Sequence, residues 1–98
     1  MQRKVYLTKL KPEYREQYIE AHRQVAEELL RRYRDSGMTH CSVHLLGDTL
    51  AMIVDSVDHA AMKAVLDFDE VDIAWQKHVG PMKSEAWAEM EPVFYVDL

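Results

Sequence analysis

The stretch Met38-Thr39-His40-Cys41-Ser42-Val43-His44-Leu45-Leu46, then Gly47-Asp48, then Thr49-Leu50-Ala51-Met52-Ile53-Val54-Asp55, decides the fold. Two short, largely apolar runs separated by a turn that contains glycine predict a β-hairpin, with strands over 38–46 and 49–55. Upstream, residues 3–10 place Val5, Tyr6, Leu7, Thr8 and Leu10 among basic residues, a β-branched and aromatic mixture that predicts a first strand. Pro12 suits a first helical position, Glu13 and Glu16 suit a first turn, and Arg31, Arg32 and Arg34 before Gly37 mark an end, so one long helix is expected over 12–35. At about 100° per residue, Tyr14, Tyr18, Ala21, His22, Val25, Ala26, Leu29, Leu30 and Tyr33 share one half of that helix.

Downstream of the hairpin, Asp58 opens a helical segment over 58–66, Asp67-Phe68-Asp69 interrupts it, and helical spacing resumes over 70–79 until Gly80-Pro81. Val93, Phe94, Tyr95 and Val96 predict a last strand over 90–96. The order β-α-β-β-α-β implies an α+β protein of the ferredoxin-like type, a four-stranded antiparallel sheet with both helical regions on one face. The other face has no helix to cover it, and pairing with the same face of a second copy, a homodimer formed through the sheets, would bury it.

A chain of 98 residues leaves room for one domain, spanning 1–98. Hydrophobic residues make up 48% and charged residues 30%, the balance of a compact fold and not of a disordered chain. A formal charge of −5 repels a phosphate backbone, which argues against a nucleic-acid partner. The longest apolar run, Leu50 to Val54, is far shorter than the roughly 20 residues a membrane helix needs, so no membrane partner is expected. The one cysteine, Cys41, has no intramolecular disulfide partner and residues 1–5 carry no signal-like apolar run, which together suggest the cytoplasm.

Among chemistry-bearing residues His22 stands out, because an imidazole on the apolar face of a helix can both give and take a proton near neutral pH. Tyr18 lies one turn before it on the same face. From spacing alone this pair fits either a pocket wall or a core histidine bonded to a carbonyl. Trp75 fits either a platform for the apolar face of a sugar ring or a core residue; Trp87 fits packing or a dimer contact. His40 and His44 lie about 13 Å apart along a strand and cannot share one ion, and no ligand spacing accompanies His22 and His78, so no metal site is expected. Cys41 lacks a neighbouring cation in the sequence and is expected to be buried and inert. Asp55 could turn toward His22 or simply end its strand.

The segments Arg3-Lys4-Val5, Pro12-Glu13-Tyr14, Tyr18-Ile19-Glu20-Ala21-His22, Ser36-Gly37-Met38-Thr39-His40-Cys41-Ser42-Val43-His44-Leu45 and Pro92-Val93-Phe94-Tyr95-Val96 resemble the L-rhamnose mutarotases, small dimeric ferredoxin-like proteins. The resemblance spans nearly the whole chain. It implies a cofactor-free aldose 1-epimerase acting on a monosaccharide such as L-rhamnose or L-fucose, with His22 as the catalytic proton donor and Tyr18, Cys41 and Trp75 at sugar-contacting positions. Departures accompany it: Ala26-Glu27-Glu28 stands where the family has Trp-Pro-Glu, Cys41 where it has a tyrosine, and Ala74-Trp75 where it has two tryptophans. A cofactor-free oxygenase or cyclase on the same scaffold and a non-catalytic sugar-binding module are the alternative functions.

Overall fold

The computed structural model describes residues 1–98. Gly47 turns the hairpin at φ 59°, a backbone region that a side chain disfavours, and joins β2 (Met38–Leu46) to β3 (Thr49–Ser56). β3 pairs on its other side with the whole of β1 (Gln2–Lys9), placing Val5 opposite Ile53 and Tyr6 opposite Met52. A two-residue β4 (Ala88–Glu89) lies against Tyr6 and Leu7, and the antiparallel order β2-β3-β1-β4 is that of a ferredoxin-like sheet.

Four helices accompany the sheet: α1 (Arg15–Arg23), α2 (Glu27–Asp35), α3 (His59–Leu66) and α4 (Glu70–Val79). Asp58 caps α3 through the Ala61 N–H, and Asp69 caps α4 through the N–H groups of Val71 and Asp72. The interruption expected between 66 and 70 is present. The single helix expected over 12–35 is not: a 3₁₀ turn over Pro12–Tyr14 leads into α1, and the chain leaves helical geometry at Gln24 (φ −131°) and Ala26 (ψ 137°) before α2 begins. Helical periodicity continues across this break, but the tertiary contacts of α2 outweigh it. The break redirects α2 so that Arg32 reaches Asp69 at 3.1 Å and Tyr33 reaches Asp72 at 2.7 Å on α4.

The last strand also differs from expectation. Residues 90–98 form no strand, and Val93 and Phe94 are 98% and 85% exposed. β-propensity expresses a fit to a half-buried pleated surface, and no neighbouring strand supplies that surface beyond Glu89.

Strand alternation sorts the sheet into two faces. Tyr6, Thr8, Leu50, Met52, Val54, Cys41, Val43 and Leu45 face the helices. Leu10 and Leu50 pack with Tyr18, Val79 and Met82 in one buried cluster, while Val54, Met62 and Leu66 form a second. The opposite face carries Val5, Leu7, Ala51 and Ile53, with Ser42 bridging the His40 and His44 rings at 2.9 and 3.0 Å. Asp55 is on this face too, accepting two hydrogen bonds from Arg3 at 2.7 and 2.8 Å, so it does not reach His22.

The Arg3 hydrogen bonds and charge hold the Asp55 carboxyl below its ordinary value. Such a group contributes stability fully above its unfolded value, near 3.9, and loses it as pH falls through the lower folded value. Asp55→Asn should therefore lower Tm at pH 7, and its Tm should converge on that of the wild type in strong acid. Equal melting temperatures at pH 7 would show that the ion pair adds no net stability.

Candidate active site

Between the helices and the inner face of the sheet lies an open cleft of about 860 Å³. Residues of both buried clusters line it, and most of its lining is apolar, the usual character of a small-molecule site. Tyr18, His22, Cys41 and Trp75 all line it, so chain folding brings together every site residue expected from the sequence.

His22 stands in the last turn of α1, with Nδ1 2.7 Å from the carbonyl oxygen of Tyr18. A carbonyl can only accept, so Nδ1 carries a proton and Nε2 is the nitrogen left for a ligand. This is the carbonyl bond of the core reading, yet the ring is part-buried in the cleft wall and is not sealed in the core. The Tyr18 ring lies 4.3 Å from it, and Trp75 meets it edge-on with centroids 5.1 Å apart. Tyr18 is buried, and burial pushes its phenol up to about 12. It keeps its proton at neutral pH and is a hydrogen-bond donor.

Trp75 is half-buried, packing on the first cluster while also lining the cleft. Trp87 packs on the same cluster with the Lys83 ammonium 4.7 Å from its ring centre, and burial pushes Lys83 down. Cys41, expected to be buried, is exposed. Its strand position faces the cleft, which it lines with Tyr33 of α2 and Asp72 of α4. The surrounding protein still pushes its thiol up, so it remains protonated and weakly nucleophilic. No three His, Cys, Asp or Glu side chains converge as metal ligands would.

Two polar pairs in the cleft join residues that no sequence pattern links. Tyr6 and His59 meet at 2.9 Å between the phenol oxygen and Nε2, while the Nδ1 of His59 is buried without a partner. Tyr33 donates to Asp72 Oδ1 at 2.7 Å, and Gln76 Nε2 approaches the same oxygen at 3.3 Å. Tyr33 shares the helical face of Tyr18 and His22, and Asp72 precedes Trp75 by three residues. Those spacings were the available signal.

The sequence model for L-rhamnose mutarotase matches residues 3–96. No curated protein sequence matches the chain. Among solved structures, the L-rhamnose mutarotase of Formosa agariphila superposes with a TM-score of 0.82 at 21% identity, covering 99% of this chain and 100% of that one. The tetracenomycin F2 cyclase of Streptomyces glaucescens superposes at 0.60 with 18% identity, covering 100% and 98%. An antibiotic biosynthesis monooxygenase does so at 0.66 with 15% identity, covering 95% and 99%. At these identities the superpositions establish the ferredoxin-like fold.

The raised Cys41 thiol gives a chemical check on the cleft wall. Alkylation rate against pH should show a midpoint above that of free cysteine, and a midpoint at or below it would place a stabilising cation there that the structure lacks.

Proposed function

Since this chain belongs to the L-rhamnose mutarotase family and is thereby a sugar isomerase, we propose that it interconverts the α and β anomers of a 6-deoxyhexose such as L-rhamnose or L-fucose, with His22 as general acid/base. Anomer exchange takes the proton from the anomeric hydroxyl, breaks the bond between C1 and the ring oxygen, and protonates that oxygen. Rotation of the open-chain aldehyde and the reverse steps give the other anomer. No electron is gained or lost, so proton transfer is all the reaction requires.

The observation that carries this reading is the hydrogen bond from His22 Nδ1 to the Tyr18 carbonyl, which leaves Nε2 free beside Trp75. In its neutral form Nε2 takes a proton, and once protonated it returns one. The protonated Tyr18 phenol is suited to donate to a sugar oxygen, Trp75 offers an aromatic surface to the ring, and Cys41 borders the substrate. An apolar lining with a few polar groups also suits a sugar that carries a methyl group in place of one hydroxyl.

The same proposal includes a homodimer in the cytoplasm. No helix is long and apolar enough to cross a membrane. The uncovered sheet face with Val5, Leu7, Ala51 and Ile53, together with the exposed Val93 and Phe94, supports association with a second copy.

Saturation-transfer NMR on equilibrated L-rhamnose and L-fucose should reveal protein-dependent exchange between the anomeric proton signals. His22→Ala should fold normally and slow that exchange by about 10²- to 10⁴-fold; wild-type rates in this variant would remove His22 from the mechanism. Sedimentation should give twice the chain mass, with Phe94→Asp shifting the distribution toward the monomer. A monomeric wild type would refute the dimer alone.

A further inference from the structure

The reaction at His22 accounts for one end of the cleft. It leaves unused a second polar group, built by α2 and α4. Asp72, Trp75 and Gln76 stand at i, i+3 and i+4 of α4 and so share one helical face, and all three line the cleft, as does Tyr33. Asp72 Oδ1 accepts from Tyr33 at 2.7 Å and from Gln76 at 3.3 Å, whereas Oδ2 receives no hydrogen bond from the protein. The buried polar atoms without a partner are Ser56 Oγ and His59 Nδ1, so Asp72 Oδ2 is accessible and free to accept from a hydroxyl donor that enters the cleft.

We infer that Asp72, held in place by Tyr33 and Gln76, is a clamp for hydroxyl groups of a neutral sugar, binding the part of the ring remote from the anomeric carbon. This rests on the mutarotase reading and extends it to the residues that select the substrate. A sugar hydroxyl can donate to Oδ2 and accept from elsewhere at the same time, and a neighbouring hydroxyl can use the Tyr33 oxygen, which retains acceptor capacity after donating to Asp72. A sugar acid or phosphate would meet the Asp72 charge and be repelled. A flat aromatic ligand bearing only carbonyl groups would offer Oδ2 no donor. The clamp therefore favours neutral polyols over both.

The Tyr33–Asp72 hydrogen bond also ties α2 to α4, but the pair Arg32–Asp69 makes that tie independently at 3.1 Å. The presence of a second link leaves the two helices joined when Asp72 is changed, so binding can be tested apart from folding.

The test compares the full-length wild type with Asp72→Asn, Tyr33→Phe and Gln76→Ala, measuring L-rhamnose affinity by titration calorimetry, anomer exchange by saturation transfer, and Tm. A hydrogen bond to a charged group predicts that Asp72→Asn raises Kd and KM by about 10- to 100-fold, with kcat within about threefold of the wild type. Gln76→Ala, which removes only an orienting hydrogen bond, should give a smaller increase, and Tyr33→Phe, which also removes an acceptor for the neighbouring hydroxyl, an intermediate one; both carry the test if Asp72→Asn does not fold. Rhamnose analogues lacking one ring hydroxyl supply a readout that a structural role would not move. Loss of the clamped hydroxyl should weaken binding to the wild type but not further weaken binding to Asp72→Asn.

Unchanged Kd and KM in Asp72→Asn would overturn the clamp, as would a fall in kcat at constant KM, which would place Asp72 in the chemistry. If the wild type binds rhamnose in an Asp72-dependent way without exchanging its anomers, the clamp stands and the mutarotase reading falls. If it exchanges anomers regardless of Asp72, the reverse holds. Failure to bind any neutral sugar would overturn both.

Discussion

The register between β1 and β3 is the constraint on which the rest of the molecule depends. Eight consecutive residue pairs, from Gln2 with Ser56 to Lys9 with Thr49, fix which side chains face the helices. A slip of β3 by one residue would turn Leu50, Met52 and Val54 to the outer face and bring Asp55 inward, away from Arg3, removing most of the floor of the cleft and leaving a buried carboxylate unpaired. Gly47 at one end of β3 and the Arg3–Asp55 pair near the other both favour the observed register. Fold and site therefore share one determinant.

Above that floor the helices line the cleft without filling it. Leu10, Tyr18, Leu50, Val79 and Met82 pack in one cluster, and Val54, Met62 and Leu66 in another. The break at residues 24–26 lets α1 present His22 and lets α2 present Tyr33 to the same space from different directions. A straight helix over 12–35 would carry both along one line and could not follow the twist of the sheet beneath it. Departure from regular helix thus supplies the curvature that the site needs.

The hairpin, its glycine turn, the interruption before Glu70 and both strand bounds of β2 were legible because each depends on local chemistry: alternating side chains, positive φ, and capping by Asp58 and Asp69. The break in the first helical region was not, since Gln24, Val25 and Ala26 are all acceptable in a helix and only contacts with α4 decide against it. The tail over 90–98 misleads for the opposite reason, its β-forming residues lacking a strand to pair with. Spacing put His22 and Tyr18 on one helical face, whereas Trp75 and Cys41 came forward through the family resemblance, and all four line the cleft. The carbonyl that fixes the imidazole tautomer, and the meeting of Tyr33 with Asp72 across two helices, are matters of side-chain direction that a linear pattern does not carry.

The departures from the family pattern fit one physical account. Cys41 replaces a bulky phenol on β2 with a small thiol, and the neighbouring wall is bordered by Tyr33 from α2, whose own hydroxyl reaches Asp72. A phenol carried by a helix and anchored on a carboxylate differs from one carried by a strand. Anchored, it orients a charged acceptor whose free oxygen prefers a hydroxyl donor. Burial also pushes the Tyr33 phenol up, and the Asp72 hydrogen bond reinforces that, so the phenol keeps its proton and holds the carboxylate steady instead of exchanging protons with substrate. On the proposed mechanism proton transfer is left to His22, and recognition of the remote hydroxyls falls to Asp72. Separating these tasks between α1 and α4 allows a change of sugar preference through α2 and α4 while the imidazole and its Tyr18 carbonyl stay in place.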